Sequence, residues 1–313
     1  MTSDSRQFSL PPDLVRHSVT DQEHWPGSWD IDRWLPKLQA AWNAGVTGKG
    51  VRVCVLDTGV DEGHSHIPTA VARRSFVGGN SGDRNGHGTW CAGRILGRDG
   101  PGIAPDADLI VAKVLDDNGG GSSRGINDGV RWAAGEGADI LSASLGGGSP
   151  SQADVDAIRN AYLRGVQCAI ASAGNSGYQG RNTIGYPARY LDWWCNGATR
   201  RDGQIATFSS GGREIDDATP GEQVVSTAPG NRWSTMSGTS MSCPFRAGLQ
   251  SLIIHRRRMV GMQDLIGADA WREFFEQEGF YEDRGEPGKD VRFGLGSPLI
   301  DKILDWVVDP KWL

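Results

Sequence analysis

The chain lacks any run of about 20 apolar residues, the length a membrane-spanning helix needs. No apolar signal core follows the polar start Met1-Thr2-Ser3-Asp4-Ser5-Arg6. It also lacks a basic tract. Against 32 Lys and Arg stand 38 Asp and Glu, a formal charge of −6. The one basic triplet, Arg256-Arg257-Arg258, reads as a solvated helix end. Neither nucleic acid nor a membrane is therefore expected as a partner. Cysteine is sparse and odd in number: Cys54, Cys91, Cys168, Cys195 and Cys243. An odd count does not make a disulfide framework. Most of the five sit in apolar patterns and read as reduced, buried small hydrophobes. Whether Cys91 and Cys243 meet is not readable from spacing, and neither is the oligomeric state. Internal repeats and low-complexity segments are absent. Together these absences point to the cytoplasm, with secretion open if a signal segment has been removed. What is plentiful is glycine, 45 of 313 residues, about twice the usual share. That suits tight turns and close backbone approach.

Three segments carry chemistry. Val51-Arg52-Val53-Cys54-Val55-Leu56-Asp57-Thr58-Gly59 is a β-branched run ended by an acid and a turn glycine. It predicts a buried strand with Asp57 at its C-terminal edge, where open α/β sheets build their sites. Asn85-Gly86-His87-Gly88-Thr89-Trp90-Cys91 places an imidazole between glycines, ahead of small residues that suit a helix packed close to a sheet. Gly238-Thr239-Ser240-Met241-Ser242-Cys243-Pro244 puts a serine at the mouth of a helix, with proline in the first turn, where a missing N–H costs nothing. Asp57, His87 and Ser240 are the orienter, base and nucleophile of acyl transfer. Free N–H groups at the helix start are ready for an oxyanion.

Rival chemistries fail on the same residues. An α/β-hydrolase needs an acid and then a histidine after its serine. Only His255 follows Ser240, with no Asp or Glu between them. Gly48-Lys49-Gly50 precedes a strand, whereas phosphate-binding glycines follow one. His64-Ser65-His66, near Asp61 and Glu62, lacks a matching third metal ligand and reads as a surface loop.

The three segments, in the chain order Asp, His, Ser, resemble the subtilisin-like serine proteases, or subtilases. Ser172-Ala173-Gly174-Asn175 is similar to the family segment that supplies the oxyanion-hole amide, here Asn175. Ser144-Leu145-Gly146-Gly147 is similar to one wall of its cleft, and Gly119-Gly120-Gly121 to the other. Gly185-Tyr186-Pro187 is similar to the floor of its main specificity pocket. The resemblance covers about Ala41 to Ile254, with an echo at Phe293-Gly294-Leu295-Gly296. It implies a serine endopeptidase acting on protein or peptide substrates through Asp57, His87, Ser240 and Asn175. The cleft residues would be Gly119, Gly120, Gly121, Ser144, Leu145, Gly146, Ser172, Ala173, Gly174 and Gly185. Gly185 at the pocket floor, and Ser176 where some relatives carry an acid, imply a roomy neutral pocket and cleavage after large apolar residues. No cofactor is expected. The segment from Arg94 to Pro105 lacks the Asn-rich loop that forms the family's tight calcium site, and Asp83 is left as a candidate for a weaker one. The alternative reading is a catalytically silent relative that binds peptides or partners. Two departures stand out: Phe245-Arg246 replaces the usual His-Val behind the nucleophile, and Ser142-Ala143 precedes Ser144.

Alternating strand and helix signals from Asp57 to Ser240 predict an α/β, three-layer subtilisin-like fold with a mostly parallel sheet and helices on both faces. Residues 41–313 are expected to form the peptidase domain, closed by helices near Ala270–Gln277 and Pro298–Val307. Residues 1–40, with Pro11-Pro12, Pro26 and Pro36, read as an irregular N-terminal extension. Either it packs on the body and does nothing else, or Phe8-Ser9-Leu10-Pro11-Pro12 lies over the cleft and resists cleavage.

Overall fold

The computed structural model describes residues 7–10, 14–20, 24–180, 182–309 and 311. In chain order, β1 (Gln7–Ser9), β2 (Val15–Thr20) and α1 (Trp29–Asn43) lead to β3 (Arg52–Asp57) and β4 (Ala72–Ser75). Then come α2 (His87–Leu96), β5 (Asp108–Lys113), β6 (Gly120–Ser122), α3 (Ser123–Gly135), β7 (Ile140–Ala143) and β8 (Gly146–Gly147). Next are α4 (Gln152–Leu163), β9 (Cys168–Ser172), β10 (Trp194–Thr199), β11 (Asp217–Pro220), β12 (Val224–Ala228) and β13 (Arg232–Ser237). The chain continues through α5 (Thr239–Met259), α6 (Ala268–Gln277), β14 (Tyr281–Glu282), β15 (Ser297–Pro298) and α7 (Ile300–Val308).

Seven strands form one sheet in the order β11-β10-β9-β7-β3-β5-β4, and every pairing in it is parallel. A parallel sheet must bury both faces, and β3 shows how its sequence does so. Val53 and Val55 enter the core shared with α1, α2, α5, α6 and α7. Cys54 and Leu56 enter the opposite core, with α3 and α4. The unbroken apolar run is thus two faces read alternately. Ser122 caps α3 by accepting from the Gly125 N–H at 3.1 Å, and Ser151 caps α4 by accepting from Ala153 N–H at 3.0 Å. Helix α5 is buried nearly all round, so it runs through the interior rather than along the surface.

Among the described residues two three-stranded sheets lie outside this frame, besides the two-stranded pair β14-β15. One has the order β6-β1-β8 and the other β12-β13-β2. The expected irregular stretch over residues 1–40 is therefore corrected. It holds two strands and most of α1, which runs past residue 40 and contains Pro36.

Candidate active site

From β3 the sheet grows both ways, to β5 on one side and β7 on the other. The crevice beyond the carboxyl ends of strands at such a switch point is where α/β sheets hold ligands. Asp57 is the last residue of β3. His87 opens α2, and Ser240 is the second residue of α5. Asn175 lies three residues beyond β9.

His87 Nδ1 donates to Asp57, 2.8 Å from Oδ1 and 2.9 Å from Oδ2. Both side chains are buried. The carboxylate thereby fixes the proton on Nδ1 and leaves Nε2 as the acceptor. Nε2 has no partner. Ser240 Oγ donates instead to the Ser144 carbonyl at 3.3 Å. Ser144 Oγ in turn donates to the Ser240 carbonyl at 2.9 Å, which ties the start of α5 to the segment after β7. Cys91 Sγ sits between the two elements, 3.9 Å from His87 Nδ1 and 3.7 Å from the Ser240 carbonyl.

The glycines beside the imidazole have separate tasks. Gly86 takes φ +96° to start α2. A Cβ on Gly88 would strike the Gly59 carbonyl and come within 3.1 Å of Asp57 Cβ, so only glycine lets α2 approach the acid this closely. Asn175 is oriented by Thr239, whose N–H and hydroxyl donate to Asn175 Oδ1 at 2.9 and 3.0 Å. That leaves Asn175 Nδ2 turned the other way. It is buried and has no partner among the described residues, 3.1 Å from where a Cβ of Gly238 would stand.

The cleft residues read from the sequence come together around β1. Gly120 and Gly121 belong to β6 and Gly146 to β8, and β1 lies between them, antiparallel to both. Phe8 faces Gly121 on one side and Gly147 on the other. Gly119 accepts from the Leu10 N–H at 3.0 Å. Ser144, Leu145, Ser172 and Ala173 are buried. Gly185 N–H donates to the Ala173 carbonyl at 3.3 Å, and Gly174 N–H donates to Thr239 Oγ1 at 3.0 Å. Gly147 and Tyr186 form a bridge beside them. Pro11 and Pro12 lie outside the described residues.

Sequence reasoning missed the part played by Asp83. Its Oδ1 accepts from Thr58 Oγ1 at 2.9 Å, Asn85 N–H at 3.0 Å and Gly86 N–H at 2.8 Å. Its Oδ2 accepts from Thr89 N–H at 2.9 Å and Thr89 Oγ1 at 2.6 Å. Thr58 Oγ1 also accepts from Gly88 N–H at 3.0 Å, while Thr58 N–H donates to Asp57 Oδ1 at 2.7 Å. One carboxylate thus joins the loop after Asp57 to the helix that begins with His87. Asp83 stands three residues ahead of the N-cap Gly86, outside the position where a capping signal is read, so local sequence did not point to it. With both oxygens engaged by protein donors, Asp83 does not fit a calcium site.

Asp57, His87 and Cys91 bring three potential metal-ligand atoms within 4.8 Å of one another. Burial pushes the Cys91 thiol well above its ordinary pKa, so the thiolate a metal needs is disfavoured. The His64–His66 segment is less exposed than its sequence suggests. His64 is buried, its Nε2 donates to the Arg232 carbonyl at 3.2 Å, and both rings pack on Trp233. The departures from the family pattern behind Ser240, at Phe245 and Arg246, make interior contacts. Phe245 meets Trp34 edge-on at 5.8 Å, and the buried Arg246 places its Nε 3.4 Å from Asp217 Oδ2. The Arg246 guanidinium also lies 4.4 Å from the Trp194 ring and 4.0 Å from the Phe275 ring, which ties α5 to α6.

A model of the subtilase family matches residues 48–296. The chain belongs to the subtilase family. It is 40% identical over 227 residues to subtilisin DY of Bacillus licheniformis, covering 70% of this chain and 81% of that protein. It is also 40% identical over 233 residues to subtilisin Savinase of Lederbergia lenta, 72% of this chain and 83% of that one. M-protease of Shouchella clausii is 40% identical over 233 residues, 72% of this chain, but the match spans only 59% of M-protease. A subtilase of this kind is a serine endopeptidase on the three-layer α/β fold, and its substrates are proteins or peptides.

Proposed function

We propose that this subtilase cleaves peptide bonds through Asp57, His87 and Ser240, with Asn175 completing the oxyanion hole. Ser240 Oγ leaves the Ser144 carbonyl, gives its proton to His87 Nε2 and bonds to the scissile carbon. The carbonyl π pair moves onto the oxygen. His87 then returns the proton to the amine as the C–N bond breaks, and a water that His87 deprotonates releases the acyl group. Asp57 holds the Nδ1 tautomer and steadies the imidazolium without taking a proton.

The observation that carries this reading is the partnerless Asn175 Nδ2 beside Gly238. Leaving a buried donor unpaired costs about 1–3 kcal/mol. The charged oxygen of a tetrahedral intermediate offsets that cost, with the Ser240 N–H as second donor. The substrate lies where β1 lies, as the middle strand between β6 and β8. The P1 side chain enters the space walled by Ser172, Ala173, Gly174 and Gly185, which holds large apolar groups best. Because β1 already fills this place, the extension is a tethered competitor of substrate.

Incubation with a fluorophosphonate, followed by mapping of the adduct by mass spectrometry, tests the nucleophile. Labelling at Ser240 that vanishes in Ser240→Ala supports it. An intact protein that neither labels nor cleaves any peptide, even with the extension weakened, is the silent peptide-binding relative instead.

A further inference from the structure

We propose that a cavity where β10 and β11 end is a binding site for a small organic anion, a carboxylate carried on a flat apolar body. Its lining includes none of Asp57, His87, Asn175 and Ser240, and it stands whether or not Ser240 is a nucleophile.

The walls come from parts of the chain that meet only in the fold. β10 ends at Thr199 and β11 at Pro220; these two residues are paired, and both line the cavity. Ligands of α/β sheets bind beyond the carboxyl ends of strands. Trp29, Arg33 and Trp34 of α1 close one side, and Pro298, Leu299 and Ile300, leading into α7, close another. Both of these segments lie outside residues 48–296, the span shared with the family. The space enclosed is about 200 Å³. An apolar cavity of about 150 Å³ holds benzene, so this one takes a ring with a short substituent.

The floor is apolar. Trp34, Ala218, Pro220, Pro298 and Ile300 are buried. The indole N–H groups are already used: Trp29 Nε1 donates to the Glu222 carbonyl at 3.0 Å, and Trp34 Nε1 to Asp301 Oδ2 at 3.4 Å. What the two rings offer a ligand is apolar surface, on which another flat group stacks.

The rim is cationic. Arg33, Arg200 and Arg284 line it, with Glu282 and Asp301. Both acids are held already, Glu282 by Arg284 at 2.7 Å and Asp301 by Lys37 at 3.4 Å. Among the described residues Arg33 has no carboxylate partner; its guanidinium lies 5.0 Å from the Trp34 ring. Arg200 gives one NH₂ to Asp202 at 2.8 Å, and its Nε is buried with no partner among the described residues. A buried N–H left unpaired is costly, and guanidinium groups meet carboxylates through paired N–H bonds. Two guanidinium groups short of acceptors, above an apolar floor, select an anion with an apolar body. A cationic ligand is disfavoured, because Arg33 already lies over the Trp34 ring that would attract it.

The test titrates the full chain by calorimetry with phenylpropionate, phenylpropanol and phenylpropylamine, which share one body and differ in charge. The expected result is saturable binding of the carboxylate with a Kd of about 1 mM or tighter. The alcohol should bind about tenfold more weakly, and the amine more weakly still. Arg33→Gln combined with Arg200→Gln should bring the carboxylate down to the affinity of the alcohol. Ala218→Leu, which fills the floor and keeps every charge, should remove binding of both. The arginines stand on the rim, so their variant tests the site even where Ala218→Leu fails to fold, and a thermal melt reports folding of each. None of these substitutions touches the catalytic cleft, the other place a phenyl group could enter. Binding that survives them all belongs to that cleft and overturns the inference. Equal affinities for the three probes, or no saturable binding, overturn it as well and leave the space a water-filled gap.

Discussion

Phe8 lays its ring against Gly148. A Cβ on Gly148 would stand 2.9 Å from both Cε2 and Cζ of that ring, which is only 3% exposed. Phe8 is thus the apolar anchor of a segment whose other strand, β2, has none. Burying such a side chain stabilises by roughly 1.5–3 kcal/mol, a factor of about ten to a hundred in occupancy of the cleft. Phe8→Asp should raise kcat/KM of the full chain on a short peptide by about tenfold or more, measured in a continuous fluorescence assay. Unchanged activity would show that β1 does not compete with substrate.

Asn175→Ala removes the partnerless Nδ2. The expected loss is about 10²–10³ in kcat, a range set by the equivalent deletion in subtilisin. KM on the same peptide should change little, because the bond forms only as charge develops. Equal losses in binding and turnover would assign Asn175 to ground-state recognition.

Asp83→Asn keeps the shape of the side chain but replaces one acceptor with an NH₂ group. Thr89 or the Thr58–Gly86 set then faces a donor, at a cost of about 1–3 kcal/mol. Since Asp83 links the Asp57 loop to the start of α2, kcat should fall by about tenfold with KM unchanged. Steady-state kinetics beside a thermal melt check this, and a lowered melting point with normal kcat would leave Asp83 a purely structural cap.

Two histidines should make the fold sensitive to acid. Burial lowers the pKa of His64 and of His255 from the ordinary 6.5. In each the neutral Nδ1 accepts main-chain N–H groups: from His66 at 3.3 Å, and from Thr47 and Gly48 at 3.2 Å. With folded values below the unfolded one, the unfolded chain binds more protons on acidification. Their contribution is fully present above about pH 6.5 and is lost as pH falls toward and through the lowered values. Urea midpoints between about pH 8 and about pH 5 should be flat and then fall. His255→Asn, which can accept but does not titrate, should reduce the slope below pH 6.5.

Arg246 and Asp217 are both fully buried. Removing one charge strands the other, so Arg246→Val should cost about 3–5 kcal/mol in chemical denaturation. Adding Asp217→Asn should recover most of it. A costless single variant would mean that the pair contributes nothing.

The sequence made the sheet and the site legible to different depths. β3 was plain because a strand buried on two faces must be apolar throughout. Asp57, His87, Ser240 and Asn175 were plain because each sits in a short segment whose glycines and small residues serve one geometry. β10 was hidden because Asn196 and Gly197 interrupt its apolar residues: the buried Asn196 donates from Nδ2 to Asp217 Oδ1 at 2.6 Å, and its Oδ1 accepts from Thr219 Oγ1 at 3.0 Å. Hydropathy cannot see a buried polar pairing across strands. α1 was hidden by Pro36 in its interior. β1 and β2 had no local signal, since what makes them strands is the partners they find far along the chain.

Those distant partners also set an order in time. Gln7 pairs with Ser122, Phe8 with Gly147 and Val15 with Ser237, whereas Ser240 follows all of them in the chain. On the ribosome, β1 is made before β6 and β8, and Ser240 emerges after both. On the proposed reading, Ser240 is therefore never synthesised before the strand that would compete with its substrate.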